Sequence, residues 1–99
     1  MATTRNKDDE SGESVLSLAE AMHEAAAQLA QLLRSEPGSV SSMKSVDDGW
    51  TADVEMVEVE RIPDTSSVMA TYRVRLDGQG ALIGYERVRR YARGQIDRR

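Results

Sequence analysis

Read for its apolar positions, the chain divides into one helical stretch and a series of extended ones. Val15, Leu18, Ala19, Met22, Ala25, Ala26, Leu29, Leu32 and Leu33 recur at three- and four-residue steps, which places them on one face of a helix. Glu20, His23, Glu24, Gln28 and Gln31 fall elsewhere on it. Two starts fit the pattern. Ser14 can serve as N-cap, and Ser17-Leu18-Ala19-Glu20 has the form of a capping box one turn later. Pro37 disfavours helical geometry at Glu36, and Gly38 follows, so the helix is predicted over 15–35. At fewer than three heptads, the stripe reads as a face that packs on a sheet rather than as a coiled-coil seam.

The remainder is extended. Val40, Met43 and Val46 mark a short first strand, with Asp48-Gly49 as the turn before Trp50. From Trp50 to Ile62, Ala52, Val54 and Met56 share one face, but Val57 and Val59 fall on the other. A strand that changes phase midway either carries a bulge or is buried on both faces. Pro63-Asp64-Thr65-Ser66 makes a turn. Ser67 to Leu76 then alternates, with Val68, Ala70, Tyr72, Val74 and Leu76 on one face and Met69, Thr71, Arg73 and Arg75 on the other. A turn centred on Asp64 sets Met56 against Tyr72, Val54 against Val74, Glu55 against Arg73 and Asp53 against Arg75. Apolar then meets apolar and acid meets base in a single register.

Asp77-Gly78-Gln79-Gly80 is a second tight turn, and Ala81 to Arg93 returns alongside. In the simplest register Ile83 and Tyr85 reach the core face, with Tyr85 a buried structural residue beside Tyr72. Beyond Tyr85 two readings stay open. An extended chain puts Tyr85, Arg87, Arg89 and Tyr91 on one face, and a helical one puts Tyr85, Val88 and Ala92 together. Strand through about Arg90 is preferred, because Tyr72 and Val68 otherwise lack a neighbour. The fold class expected is α+β, one N-terminal helix across a three- or four-stranded antiparallel sheet. Residues 14–94 form one domain, between a disordered tail over 1–13 and a frayed tail over 95–99.

Charge changes the picture at the C-terminal end. Residues 1–60 carry four bases against thirteen acids, a net −9, while residues 85–99 carry six arginines against Glu86 and Asp97, a net +4. Such a basic end marks an anionic partner or neutralises an acidic neighbouring strand; the second is ordinary sheet chemistry and is preferred. The run Tyr85-Glu86-Arg87-Val88-Arg89-Arg90-Tyr91-Ala92-Arg93 has three readings. It is a protein interface with Arg87, Arg89, Arg90, Tyr91 and Arg93 as anchors, a charged edge strand that resists aggregation, or a nucleic-acid surface. They rank in that order, since the overall acidity and the pairing available to Glu55, Glu58 and Glu60 both reduce the field a phosphate backbone would feel.

Catalytic chemistry finds little to work with. There is no cysteine, and the single histidine, His23, lies on helix surface without a companion ligand. Asp47-Asp48 lacks calcium-loop spacing, and Gly78-Gln79-Gly80 is too short for a phosphate loop. The expectation is no enzyme, no cofactor and no metal. With no apolar run of membrane-spanning length and no signal-peptide pattern, the protein is expected in the cytoplasm.

The order of these pieces resembles the gas vesicle protein O family, accessory proteins of gas vesicle gene clusters. The resemblance rests on Trp50 opening an acidic, valine-rich strand, on Arg61-Ile62-Pro63, and on Tyr72-Arg73-Val74 with Leu76-Asp77. It continues through Gly84-Tyr85, Arg87 and Arg90-Tyr91-Ala92-Arg93-Gly94. It implies a non-enzymatic helper of gas vesicle formation that binds other gas vesicle proteins and is associated with the vesicle. The alternative is a nucleic-acid-binding regulator of vesicle genes. A charged fraction of 30% and a mean hydropathy of −0.53 suit a helper better than a water-excluding wall subunit. In architecture alone, the helix followed by an antiparallel sheet is similar to the PepSY domain.

Overall fold

The computed structural model describes residues 16–95. The helix α1 spans Leu18–Leu33 and packs on one antiparallel sheet of four strands, β1 (Ser39–Val46), β2 (Gly49–Val59), β3 (Val68–Asp77) and β4 (Leu82–Ala92). The spatial order β1-β2-β3-β4 follows the chain, an all-hairpin meander with β1 and β4 at its edges. This is the α+β arrangement expected, with four strands rather than three.

Of the two helix starts, Ser17 is the N-cap. Its hydroxyl accepts from the Glu20 N–H, and the Glu20 carboxylate accepts from the Ser17 N–H, which satisfies two donors that the first turn leaves free. Ser14 and the tail over 1–13 lie outside the described residues, as do residues 96–99. The helix stops earlier than Pro37 requires. Arg34 adopts left-handed geometry (φ 56°), and the N–H groups of Arg34 and Ser35 return to the carbonyls of Gln31 and Ala30.

The buried face of α1 is turned relative to the sequence expectation. Ala21, Ala25 and Leu29 are sealed in the core, with Leu16 and Leu33 packed partly against it, whereas Leu18 and Leu32 stay 52% and 51% exposed. The central alanines bring the helix backbone close to the sheet, and the two leucines lie in its first and last turns. The sheet side of the core is Trp50, Ala52, Val54 and Met56 on β2 with Val74 and Leu76 on β3. Each buried aliphatic side chain contributes on the order of 1.5–3 kcal/mol. Gln28, assigned to the polar side of the helix, ties it to the β3–β4 turn. Its Nε2 donates to the Gly80 carbonyl at 2.6 Å, and its Oε1 accepts from the Leu82 N–H at 2.9 Å.

The phase change in β2 is a bulge at Glu58, between Val57 and Val59. That extra residue moves the β2–β3 register by one position, and the turn, centred between Pro63 and Asp64 so that Val59 faces Val68, moves it by one more, two in all from the expected register. Val54 faces Tyr72, Met56 faces Ala70 and Asp53 faces Arg73. An even shift preserves the faces, so apolar still meets apolar, but the ion pairs change. Arg73 Nε donates to Asp53 Oδ1 at 2.9 Å, in place of the Glu55–Arg73 and Asp53–Arg75 pairs. The β1–β2 turn is Asp47-Asp48, and Gly49 already belongs to β2.

Candidate functional site

β4 is extended along its whole length, which decides between the two readings of residues 85–93. It carries two bulges against β3, at Ile83 and at Val88. Each adds one residue and reverses the parity of the positions beyond it. At the first, Leu82 replaces Ile83 opposite Leu76, and Ile83 is exposed. At the second, Arg87 stays opposite Tyr72 on the helix side of the sheet, while Arg89 and Tyr91, opposite Thr71 and Met69, point to the other face. The expected common face of Arg87, Arg89 and Tyr91 is therefore split, and Arg90 joins Arg87 instead.

On the helix side the arginines converge on Glu58, the bulge residue of β2. Arg87 Nη1 donates to both carboxylate oxygens at 2.9 and 3.2 Å, Arg90 Nε donates at 2.9 Å, and the Tyr72 hydroxyl donates at 3.0 Å. Burial pushes the Glu58 carboxyl up, but the Arg87 and Tyr72 hydrogen bonds and the two positive charges outweigh it and hold the group below its ordinary value. Burial and the bond to Glu58 push the Tyr72 phenol up. Both guanidinium groups remain about half exposed, so each keeps donors toward solvent. Tyr85 packs its ring 6.2 Å from that of Tyr72, beside it as expected, but is 42% exposed rather than buried.

On the opposite face one carboxylate gathers a hydroxyl from each of the other three strands. Glu55 on β2 accepts from Ser41 on β1 (2.7 Å), Thr71 on β3 (2.6 Å) and Tyr91 on β4 (2.8 Å). The guanidinium of Arg89 lies 4.5 Å above the Tyr91 ring. Burial raises the Glu55 carboxyl, yet the three hydroxyl donors and the nearby Arg89 charge together lower it. Tyr91 is pushed up to about 12 by burial, by its bond to Glu55 and by the carboxylate charge. Arg93, the last of the five candidates, pairs with Asp64 in the β2–β3 loop at 2.7 Å. Glu58, one of the acids expected to pair with the basic run, does so with Arg87 and Arg90, whereas Glu55, expected opposite Arg73, instead gathers hydroxyls, a role the sequence pattern did not indicate.

An open groove of about 930 Å³ lies where the end of α1 meets the sheet, lined in part by Arg34, Gly38, Glu55, Val57 and Met69. Glu55 is its most enclosed carboxylate, and three donors already hold it in the charged form, which makes it a weak proton acceptor. Among the described residues no three His, Cys, Asp or Glu side chains come together as a metal site, and no helix is long and apolar enough to cross a membrane.

Fold and surface together define an α+β protein whose charged groups bind one another across a sheet and whose arginine-bearing strand lies at a sheet edge among the described residues. The chain belongs to the gas vesicle synthesis protein GvpO family, whose model matches residues 4–97. It is 55% identical over 74 residues to gas vesicle protein O of Streptomyces sp. (strain CB03234), covering 75% of this chain and 58% of that protein. It is 33% identical over 89 residues to gas vesicle protein O of Haloferax mediterranei, covering 89% and 64%. With gas vesicle protein O1 of Halobacterium salinarum it shares 38% identity over 65 residues, covering 66% and 55%. The chain thus spans between 55% and 64% of the length of these relatives. No solved structure matches it.

Proposed function

We propose that this chain is a non-enzymatic assembly protein of gas vesicle formation, working in the cytoplasm and at the vesicle by binding other gas vesicle proteins. The observation that carries the reading is β4, an eleven-residue strand with β3 on one side and no further strand on the other among the described residues. Such an edge offers backbone donors and acceptors to an added strand. Arg87 and Arg90 on one face and Arg89 and Tyr91 on the other flank that edge, and their exposed guanidinium groups favour an acidic partner segment. The family membership supplies the setting.

The nucleic-acid reading is the weaker one. The Tyr91 hydroxyl is engaged by Glu55 and one face of its ring by Arg89, while Glu58 and Asp64 offset the charge of Arg87, Arg90 and Arg93. Base stacking needs the Tyr91 ring face free, and the offsetting carboxylates lower the net field that a long phosphate backbone depends on, while the donors left toward solvent still suit a local contact with an acidic segment. The test is a deletion strain complemented with this chain, together with binding of the purified chain to each purified protein of the same gas vesicle cluster. Loss of vesicles, rescue, and direct binding to at least one protein are expected. Normal vesicles in the deletion strain overturn the reading, and retardation of DNA or RNA in a low-salt gel shift replaces it with the alternative.

A further inference from the structure

Ile62 stands at the tip of the β2–β3 loop with 99% of its surface in water. Single apolar side chains are common on protein surfaces and carry no message by exposure alone. What sets Ile62 apart is a loop held so that it cannot fold the side chain inward. The hydroxyl of Ser67, a fully buried residue, accepts from the Arg61 N–H at 3.0 Å. The Ser66 hydroxyl and N–H both donate to the Pro63 carbonyl, and the Ser67 N–H donates to the Asp64 carbonyl, closing a single 3₁₀ turn over Asp64–Ser66. The far side of the loop is bound to the end of β4. Arg93 N–H donates to the Ser67 carbonyl, Gly94 N–H donates to the Thr65 carbonyl, and the Arg93 guanidinium holds Asp64. A segment tied at this many points presents its exposed side chain in one place, and ordering it on binding costs little further entropy.

We propose that Ile62 is the apolar anchor of the partner interface, inserting into an apolar socket on another gas vesicle protein. This rests on the reading that the chain binds such a protein along β4. The loop is joined to β4 through Arg93 and Gly94, so strand edge and anchor form one continuous strip at that end of the sheet. The rim of the anchor is charged, with exposed Glu60, Arg61 and Asp64 around it, the arrangement of an apolar centre within a polar border. A lipid surface fits less well. One isoleucine buries far less apolar surface than the single acyl chain that itself binds membranes only marginally. The carboxylates of Glu60 and Asp64 also oppose an anionic headgroup layer.

The test compares wild type, Ile62→Ser and Ile62→Leu. Each is measured for binding to every purified protein of the same gas vesicle cluster, and to liposomes of pure phosphatidylcholine and of phosphatidylcholine with phosphatidylglycerol. Ile62→Ser keeps the wild-type melting temperature, since the side chain is 99% exposed, and weakens binding to the partner at least ~10-fold. Ile62→Leu stays within ~3-fold of wild type, because the socket is apolar rather than shaped for one isomer. Wild-type affinity in Ile62→Ser overturns the anchor while leaving the assembly reading standing. Liposome binding that Ile62→Ser abolishes, without a protein partner, overturns it in favour of a membrane contact. Failure of the wild type to bind any of the proteins overturns both.

Discussion

Tyr91 on β4 donates its hydroxyl to Glu55 on β2, 2.8 Å away, across the full width of β3. The bond joins an edge strand to the strand beneath the helix, so a change at the C-terminal edge is felt at the centre of the sheet. Replacing Tyr91 by Phe removes one of three donors from a partly buried carboxylate. The expected loss is about 1–3 kcal/mol, the range for a hydrogen bond to a charged group, measured by urea unfolding at neutral pH.

The same pair sets the alkaline limit. The Tyr91 phenol is raised in the folded state, from 10.0 to about 12, so its contribution is fully present below 10 and disappears as pH rises toward 12. Wild type is expected to lose stability across that window more steeply than Tyr91→Phe. Parallel slopes for the two proteins in unfolding curves between about pH 9 and 12 contradict the assignment.

At the acid end the sign is reversed. Glu55 and Glu58 both titrate below the ordinary carboxylate value, so their contributions are complete above it and are lost as pH falls through their lowered folded-state values. A Glu55→Gln, Glu58→Gln double variant is expected to be less stable than wild type at neutral pH. Its stability should also change less between about pH 6 and 2, as followed by circular dichroism.

Arg87 and Arg90 share Glu58, so each backs up the other. Either single change to Ala is expected to cost about 1 kcal/mol or less. The double change leaves the carboxylate with Tyr72 as its remaining side-chain donor, and is expected to cost more than the sum of the two. Adding Glu58→Gln should recover part of the loss. A double-mutant cycle with zero coupling rejects the shared hub.

Glycine tolerance separates two places in the sheet. A Cβ at Gly49 would sit 2.0 Å from the Leu76 carbonyl oxygen, a backbone atom that cannot step aside, whereas at Gly84 it would meet nothing within 4 Å. Gly49→Ala is expected to destabilise strongly, and Gly84→Ala to be neutral or slightly stabilising by Tm, since alanine restricts the unfolded chain.

Much of the local architecture was legible along the chain. The capping box at Ser17 and Glu20, the apolar face of β3 and the phase break in β2 depend on residues a few positions apart, and each took the form its spacing implied. The family resemblance, too, lay in the order of short sequence pieces. What the tertiary structure decided were quantities that accumulate over distance. A bulge at Glu58, together with a turn centred just before Asp64, changed the partner of Arg73, and another bulge at Val88 put Arg87 and Arg89 on opposite faces, because strand pairing counts every residue between turn and contact. The exposure of Leu18 and Leu32 came from how the helix lies on the sheet, which no periodicity reports. The hub roles of Glu55 and Glu58 arose in the same way: each carboxylate collects donors from strands far apart in sequence, and only the packed sheet brings them within hydrogen-bonding distance.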